Sequence, residues 1–263
     1  MPRIVAIANQ KGGVGKTTTA VNLGTALAAN YKKVLVVDLD PQGNASTGLG
    51  IDPTNRENDV YRVLLGGARL ADCAVETAVP GLFVVPSSVE LSGAEIELVD
   101  AERRETRLAS ALGSSLKGYD YVLIDCPPAL GLLTVNALVA ADQVLVPLQA
   151  EFYALEGLSH LLKTIDRVRA RLNPNLRLQG IVLTMYDRRN NLCELVAQDV
   201  RSVMGDAVYE TMIPRNVRVS EAPSHGLPVI LYDIKCAGAE AYARLAGEML
   251  RREARGFSAS LAT

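Results

Sequence analysis

The sequence predicts an α/β fold, a single-domain and mostly parallel twisted β-sheet with helices on both faces. Three observations carry this prediction. The length of 263 residues suits one large α/β domain. The apolar residues are chiefly Ala, Val and Leu, which is the composition of buried parallel strands covered by helices. Short strand-like runs also alternate with helix-like runs along the chain, and this alternation indicates a parallel sheet.

Six apolar runs predict the strands, and six longer runs between and after them predict the helices. The predicted strands cover residues 3–8, 33–40, 82–87, 120–128, 143–148 and 176–185. The predicted helices cover residues 17–30, 104–117, 131–141, 154–172, 191–204 and 237–254. No repeat or proline-rich linker divides the series. We therefore expect one domain over residues 1–254, followed by a flexible C-terminal tail at residues 255–263.

Charge, hydropathy and cysteine content exclude several classes of protein. The net charge of −2 gives no general attraction to nucleic acid, although residues 150–263 hold 15 basic against 13 acidic side chains. No apolar run approaches the roughly 18 to 20 residues that span a bilayer, and the first residues lack the layout of a signal peptide. The four cysteines form no Cys-x-x-Cys pair, which favours reduced structural thiols. We expect a soluble cytoplasmic protein.

The segment NQKGGVGKTTTA, residues 9–20, follows a predicted strand and opens a predicted helix. A common phosphate-binding loop reads Gly-x-x-x-x-Gly-Lys-Ser/Thr. Gly15, Lys16 and Thr17 match its end, whereas Gln10 stands at the leading glycine. Glycines leave backbone N–H groups free to face phosphate oxygens, and the helix N-terminus adds a positive dipole. The sequence thus predicts a nucleotide site formed by Lys11, Gly12, Gly13, Val14, Gly15, Lys16, Thr17 and Thr18.

The two lysines of this loop predict two different tasks. Lys16 is expected to reach the β- and γ-phosphates, the Thr17 hydroxyl to ligate Mg²⁺, and Thr18 to contact the α-phosphate. Lys11 is then free to extend away, and burial without an anionic partner would be costly. If two copies meet loop to loop, each Lys11 hydrogen-bonds the phosphates held by the other copy. A solvated Lys11 is the alternative.

Acidic side chains end two of the predicted strands. Asp38 and Asp40 close the strand at residues 33–40 and share one face of the sheet. Asp125 closes the apolar run at residues 121–124 and fits the acid that binds Mg²⁺ directly or through water. No strong general base accompanies them, because His160 is expected to pack within an apolar helix; a role for His225 stays open. Hydrolysis should therefore be slow unless a partner supplies or positions a charge.

Several motifs resemble one protein family. KGGVGKTTT is similar to the deviant Walker A motif of the ParA/MinD family of P-loop ATPases. The segments VDLDPQGNAS, LIDCPPALGLLTVNAL and IPRNVRVSEAPSHGLPVILYD resemble its chromosome-partitioning branch, the ParA or Soj ATPases. The similarity runs from about Ile4 to Leu250 and is weakest across residues 51–117. It covers nearly the whole chain, in the order that the family has.

The resemblance implies a P-loop fold, the cofactors ATP and Mg²⁺, and roles for individual residues. Lys11 would act across a nucleotide-sandwich dimer, Asp40 would orient the attacking water, and Asp38 would brace the loop. The implied catalytic residues are Lys11, Lys16, Asp40 and Asp125. The implied metal-binding residues are Thr17, Asp40 and Asp125. The residues implied to surround adenine are Met185, Pro214 and Asn216. The DNA-binding candidates are Arg188, Arg189, Arg218 and Arg251, of which Arg189 matches a family position linked to DNA contact; a solvated charged surface is the alternative for any one of them.

The function expected from the resemblance is ATP-dependent partitioning of a chromosome or plasmid. An ATP-induced homodimer would bind double-stranded DNA on the nucleoid, and a ParB-like centromere-binding protein would stimulate hydrolysis and release. Since the loop begins nine residues in, no helix-turn-helix reader fits before it, and we expect binding without sequence preference. The alternative is a MinD-like membrane-cycling ATPase. The tail offers only Phe257 and Leu261 as bulky anchors, so no stable membrane binding is expected. A metabolic ligase or metal-centre carrier is a third interpretation, which no paired cysteines support.

Overall fold

The computed structural model describes residues 2–113 and 116–256. A seven-stranded sheet forms the centre of this part of the chain. The strands are β1 (Arg3–Ile7), β2 (Val34–Asp38), β3 (Val75–Glu76), β4 (Leu82–Val85), β5 (Tyr121–Asp125), β6 (Gln143–Gln149) and β7 (Arg177–Thr184). Their order across the sheet is β3-β4-β2-β5-β1-β6-β7. Only β3 is antiparallel to its neighbour; the other pairs are parallel.

Helices connect the strands and cover both faces of the sheet. They are α1 (Lys16–Ala29), α2 (Asn44–Gly48), α3 (Val60–Leu65), α4 (Leu70–Cys73), α5 (Leu91–Glu97), α6 (Arg107–Gly113), α7 (Leu132–Ala140), α8 (Ala154–Arg171), α9 (Asn191–Met204), α10 (Val217–Glu221), α11 (Val229–Tyr232) and α12 (Ala237–Ala254). Among the described residues, no helix combines the length and the apolarity needed to cross a bilayer.

The alternation of side chains along each strand produces two apolar cores. On β1, Val5 and Ile7 face the core shared with α1 and α12, whereas Ala6 faces the core shared with α7 and α8. Both sides of the central strands are therefore covered, and every residue of β2 and β5 is buried. This double burial explains why the strands read as continuous apolar runs in the sequence.

The predicted fold class is confirmed, and all six predicted strands are present. The sequence did not predict β3 or the short helices α2, α3, α4, α5, α10 and α11. None of these exceeds seven residues, and helices of that length depend on packing rather than on local propensity. The helix predicted at residues 104–117 is a 3₁₀ turn (Arg104–Thr106) followed by α6 (Arg107–Gly113), and residues 114–115 lie outside the described residues. Residues 257–263 of the predicted tail lie outside the described residues.

The register of the parallel strands gathers the predicted site at one edge of the sheet. Asp38 on β2 lies opposite Asp125 on β5, and Ile7 at the end of β1 lies opposite Asp125 from the other side. The phosphate loop follows β1 directly. Because parallel strands all end at the same edge, the loop and the carboxylates meet there.

Candidate nucleotide-binding site

The loop between β1 and α1 leaves its backbone N–H groups available to a ligand. Gly13 and Gly15 adopt left-handed backbone angles, with φ of 73° and 86°. Gly15 caps α1 without any side-chain hydrogen bond to the helix, so the first N–H groups of α1 lack an internal acceptor. The carbonyl of Val14 accepts a 2.8 Å hydrogen bond from the Thr184 hydroxyl, which fixes the loop to β7. This geometry is that of an anion cradle.

Lys16 lies inside the cradle and is 6% exposed. Its Nζ donates a 3.0 Å hydrogen bond to the carbonyl of Lys11, so the side chain folds back over the loop. Burial lowers the pKa of Lys16, and the nearby Asp125 carboxylate opposes that shift. A bound phosphate would supply the missing negative charge, since desolvated ammonium groups are stabilised by anions.

Asp125 is a buried carboxylate that lacks ordinary hydrogen bonds to the described residues. Both of its oxygens are buried, and neither accepts a hydrogen bond of ordinary geometry from the described residues. Burial is the main cause that raises the pKa of Asp125 well above its usual value; the adjacent Asp38 adds to the rise, and the nearby Thr17 hydroxyl opposes it. Two orphaned oxygens beside a threonine hydroxyl fit a hard cation such as Mg²⁺.

Protein groups alone do not complete a metal site. Within the part of the chain that the structure describes, no three His, Cys, Asp or Glu side chains are grouped closely enough to hold an ion. Mg²⁺ usually takes one or two carboxylates and shares the phosphate oxygens of a nucleotide. The residues present therefore fit a cation that arrives with its nucleotide.

The two aspartates at the end of β2 have different surroundings. Asp38 accepts hydrogen bonds from the backbone N–H and the hydroxyl of Ser46, at 2.8 and 2.6 Å. Its burial raises the pKa of this carboxyl to about 6. Asp40 is 8% exposed, and its Oδ1 accepts a 2.9 Å hydrogen bond from the N–H of Gln42. The hydrogen bonds of the Asp38 carboxylate are thus made within the protein, in keeping with a bracing role, whereas Asp40 keeps a small exposed fraction.

Lys11 lies outside the cradle with about half of its side chain exposed. Its Nζ forms an ion pair with Glu151, on the segment after β6. Sequence reasoning missed Glu151, because the sequence does not show that this residue lies close to the loop. The predicted free lysine is therefore paired within its own chain.

The prediction that His160 packs within an apolar helix is wrong. His160 is exposed, and its Nδ1 lies 3.5 Å from Nε2 of Gln10 in the loop. The buried face of α8 includes Leu158, Leu161 and Ile165, which leaves His160 on the opposite side. Cys126 is fully buried, and burial raises the pKa of its thiol, so its structural interpretation stands.

The residues predicted for the base lie beyond β7. Met185 has a left-handed backbone with φ of 50°, and the next residue, Tyr186, pairs with Pro214. Asn216 is partly engaged, since its Oδ1 caps α10 by accepting from the N–H of Arg218 at 2.9 Å. A cavity of about 240 Å³ lies beside α1, and its lining includes Thr17, Thr18, Asn22, Thr47 and Val219.

Two of the four predicted DNA-binding arginines line one groove. Arg188 and Arg189 line a groove of about 710 Å³ that also contains Arg215 and Arg244. Arg189 binds both oxygens of Asp187, at 3.0 and 2.8 Å, and holds the pKa of that carboxyl at about 2.

Of the other two candidates, Arg218 donates to Glu221 at 2.9 Å. Arg251 lines a second groove of about 930 Å³ with Arg201 and Arg255, and Glu210 borders both grooves. Two of the predicted cations, Arg189 and Arg218, already have acidic neighbours.

Comparisons with known proteins find relatives over nearly the whole chain. Residues 2–178 match a family model described as an AAA domain. The chromosome partitioning protein ParA of Caulobacter vibrioides is 62% identical over 253 residues, which is 95% of each chain. The sporulation initiation inhibitor protein Soj of Bacillus subtilis is 55% identical over 249 residues, 95% of this chain and 98% of its own. The chromosome-partitioning ATPase Soj of Treponema pallidum is 51% identical over 253 residues, 96% and 99% of the two chains.

Solved structures show the same architecture. A Mycobacterium smegmatis protein described as cobyrinic acid a,c-diamide synthase, with bound ADP and magnesium, has a TM-score of 0.86 and 39% identity over 100% of both chains. The cell division ATPase MinD of Pyrococcus furiosus has a TM-score of 0.77 and 28% identity, covering 95% of this chain and 99% of its own.

The fold and the loop define a P-loop ATPase of the ParA/MinD class, as predicted. Within that class, the chain belongs to the ParA/Soj family of chromosome-partitioning ATPases. Identities of 51–62% to these relatives exceed the 28% to MinD and the 39% to the protein named as a synthase. The findings therefore favour the partitioning interpretation over the MinD-like alternative and over the metabolic ligase.

Proposed function

We propose that this chain is an ATP- and Mg²⁺-dependent switch that partitions a chromosome or plasmid by binding DNA as a homodimer. The observation that carries the proposal is the different placement of the two loop lysines. Lys16 is buried over its own cradle, whereas Lys11 extends outward to a surface carboxylate. One lysine suits the phosphates of its own subunit, and the other suits those of a second subunit.

The residues of one subunit bind the nucleotide in this proposal. The loop N–H groups and Lys16 hold the phosphates, Thr18 contacts the α-phosphate, and the base lies toward Met185, Pro214 and Asn216. Thr17, Asp40 and Asp125 hold Mg²⁺, which supplies neutralisation of the phosphate charge. Asp40 orients the attacking water through its carboxylate. The structures of the Mycobacterium smegmatis protein with magnesium and either ADP or an ATP analogue support the choice of nucleotide and metal.

Exchange of the Lys11 partner drives dimerisation in this proposal. The ion pair with Glu151 is half exposed, and such pairs contribute about 0.2–1 kcal/mol. A charge-assisted hydrogen bond to a phosphate is stronger than a neutral one, and in a water-poor interface its strength increases. The γ-phosphate therefore favours the dimer over the free subunit. Hydrolysis removes that phosphate and returns Lys11 to Glu151.

Dimerisation also explains how a weakly basic surface binds DNA. The net charge of −2 gives one subunit no general attraction to DNA, and the groove with Arg188 and Arg189 holds four arginines in each copy. Two copies double the number of phosphate contacts, each of which contributes about 0.9 to the log–log salt slope. Nonspecific binding would place the ATP-bound dimer on the nucleoid. A ParB-like centromere-binding protein would then supply or position a charge that accelerates hydrolysis, by about 10³- to 10⁵-fold if it acts as an arginine finger does.

The proposal is tested by a gel shift with a duplex of arbitrary sequence, without nucleotide, with ADP and with ATP. The duplex should be retarded only with ATP and Mg²⁺. The Lys16→Ala variant should not shift the duplex under any condition, because it lacks the buried ammonium that holds the phosphates. Equal retardation with and without ATP would contradict the coupling. ATP-dependent sedimentation with anionic lipid vesicles, in the absence of a DNA shift, would favour membrane cycling instead.

A further inference from the structure

Arg56 lies in the segment between α2 and α3, outside every motif that the sequence singled out. The residue is only 7% exposed. Its guanidinium is buried against the segment that follows Asp40. We propose that Arg56 is a positioning residue, which clamps residues 40–51 so that Asp40 is held in place for hydrolysis. The inference rests on the proposed role of Asp40 in ATP hydrolysis.

The contacts of the guanidinium converge on this segment. Nη1 donates to the carbonyls of Gly43 and Ser87, at 3.1 Å each. Nη2 donates to the Thr47 hydroxyl at 2.8 Å and to the carbonyl of Ile51 at 2.6 Å. Three of the four acceptors therefore belong to residues 43–51, and the fourth lies just after β4. One side chain ties the whole segment to the neighbouring strand end.

The position of Asp40 depends on the same segment. The carboxylate of Asp40 accepts from the N–H of Gln42 at 2.9 Å, and the Asp40 carbonyl accepts from the N–H of Gly43 at 2.9 Å. A tight turn thus carries the carboxylate, and Arg56 holds the last residue of that turn. A displacement of Gly43 moves the turn and the carboxylate with it.

The space around Gly43 is filled by the guanidinium. Gly43 has a φ of 62°, and a Cβ at this position would overlap Nη1 of Arg56 and lie 2.9 Å from the Ser87 carbonyl. Arginine offers five N–H donors in a flat fork, whereas lysine offers three donors at one point. A lysine therefore cannot reach the four acceptors in this arrangement.

Burying the Arg56 guanidinium for a purely structural contact costs free energy. Burial lowers the pKa of Arg56, and Asp38 and Asp52 act against that shift from a distance. Its Nε is buried without a hydrogen-bond partner among the described residues. Desolvating a charge for carbonyl acceptors costs free energy that an apolar side chain would not cost. Such costs are typical of functional positions.

The test compares Arg56→Gln with Arg62→Gln. Arg62 is an exposed arginine six residues further on, and its side chain makes long contacts to Glu57 and Asn58, at 3.4 and 3.3 Å. ATPase rates are measured with DNA and Mg²⁺. For Arg56→Gln, we expect kcat to fall by about 10- to 100-fold, with the KM for ATP changed by less than about threefold. Amide exchange should become faster in residues 41–51 and stay unchanged in β5. Arg62→Gln should match the wild type.

Two more variants keep the proposal falsifiable if Arg56→Gln does not fold. Arg56→Lys keeps the charge and should recover little of kcat. Thr47→Val removes one acceptor on α2 and should lower kcat by a smaller factor, in the same direction. A folded Arg56→Gln or a Thr47→Val with the wild-type kcat would overturn the clamp. A wild type and Arg62→Gln that both fail to hydrolyse ATP would instead refute the proposed function.

Discussion

Two buried carboxyls, Asp38 and Asp125, lie side by side at the ends of β2 and β5. Single residues at this site lower the stability of the folded state. Asp38 is satisfied by Ser46, whereas Asp125 has no ordinary hydrogen bond to the described residues. Burial raises the pKa of both carboxyls. A raised pKa in the folded state means that the protonated form is favoured by folding. The charged site is therefore a destabilised one at neutral pH until a cation binds.

This reasoning predicts that Asp125→Asn stabilises the protein in the absence of nucleotide and Mg²⁺. The cost of the raised pKa is absent below about pH 4, the ordinary value for Asp. This destabilisation grows as the pH rises toward the raised pKa of Asp125 in the folded protein. Asparagine does not ionise, so the variant is free of it. The gain in Tm should thus be larger at pH 7.5 than at pH 5. Each kcal/mol added to the free energy of unfolding raises Tm by about 2–4 °C for a protein of this size.

Calorimetry at the two pH values measures this effect. Asp72→Asn is the matched control, because Asp72 is exposed and its pKa is lowered by Arg69. That variant should show no gain at either pH. A lower Tm for Asp125→Asn than for the wild type at pH 7.5 would refute the interpretation of Asp125 as an unsatisfied charge.

At the scale of elements, the long buried strands and helices could be predicted and the short ones could not. β5 begins with the apolar run Tyr121, Val122, Leu123 and Ile124, because both of its faces are buried. α2 has five residues, and the residue before it, Gly43, supplies no side-chain cap, so nothing local marks it. Its position depends on Arg56, which lies in the part of the chain with the weakest family resemblance.

The same limit applies to the site. The loop lysines and the strand-end aspartates could be found, since their spacing along the chain reflects their chemistry. Glu151 and Arg56 act through contacts 140 and 13 residues away in sequence, and no local pattern encodes such contacts. His160 was misplaced because the apolar stretch around it is amphipathic, with its buried residues on the other face.

The start of α2 offers a test at this scale. Gly43→Ala should destabilise the protein by more than Gly66→Ala, although both glycines have a left-handed backbone. A Cβ at Gly66 meets nothing within 4 Å, so its cost is about 1–2 kcal/mol of backbone strain. A Cβ at Gly43 meets Arg56 in addition. Urea unfolding should show a further loss of at least ~1 kcal/mol, and equal losses would count against close packing at Gly43.

At the scale of the whole molecule, one subunit does not complete the proposed function, which requires an assembly of two. The cradle, the acids and Lys16 lie within one chain, whereas Lys11 faces outward and arginines line two grooves that share Glu210. Two such subunits would join the outward lysines to phosphates and would combine their basic grooves. ATP binding, dimerisation and DNA binding would then be linked by one change, the move of Lys11 from Glu151 to the phosphates of the other subunit.

The proposed link to DNA predicts the behaviour of Arg189→Glu. This variant should still dimerise with ATP, because Arg189 lies on the segment after β7 rather than in the cradle. Its affinity for nonspecific DNA should fall, and the log–log salt slope should decrease by about 0.9 for each DNA phosphate that the variant no longer neutralises. Fluorescence anisotropy over a salt series measures both quantities. Arg69→Glu, at an exposed arginine paired with Asp72, is the control; a salt slope for Arg189→Glu equal to that of this control would exclude Arg189 from the DNA interface.

The central claim is that Lys11 binds the nucleotide of a second subunit, and sedimentation velocity with ATP and Mg²⁺ tests it most directly. Asp40→Ala should bind ATP without turnover and sediment as a dimer. Adding Lys11→Ala to that background should give a monomer that binds ATP with similar affinity, because Lys16 and the cradle are intact. A double variant that dimerises as strongly as Asp40→Ala would contradict the account.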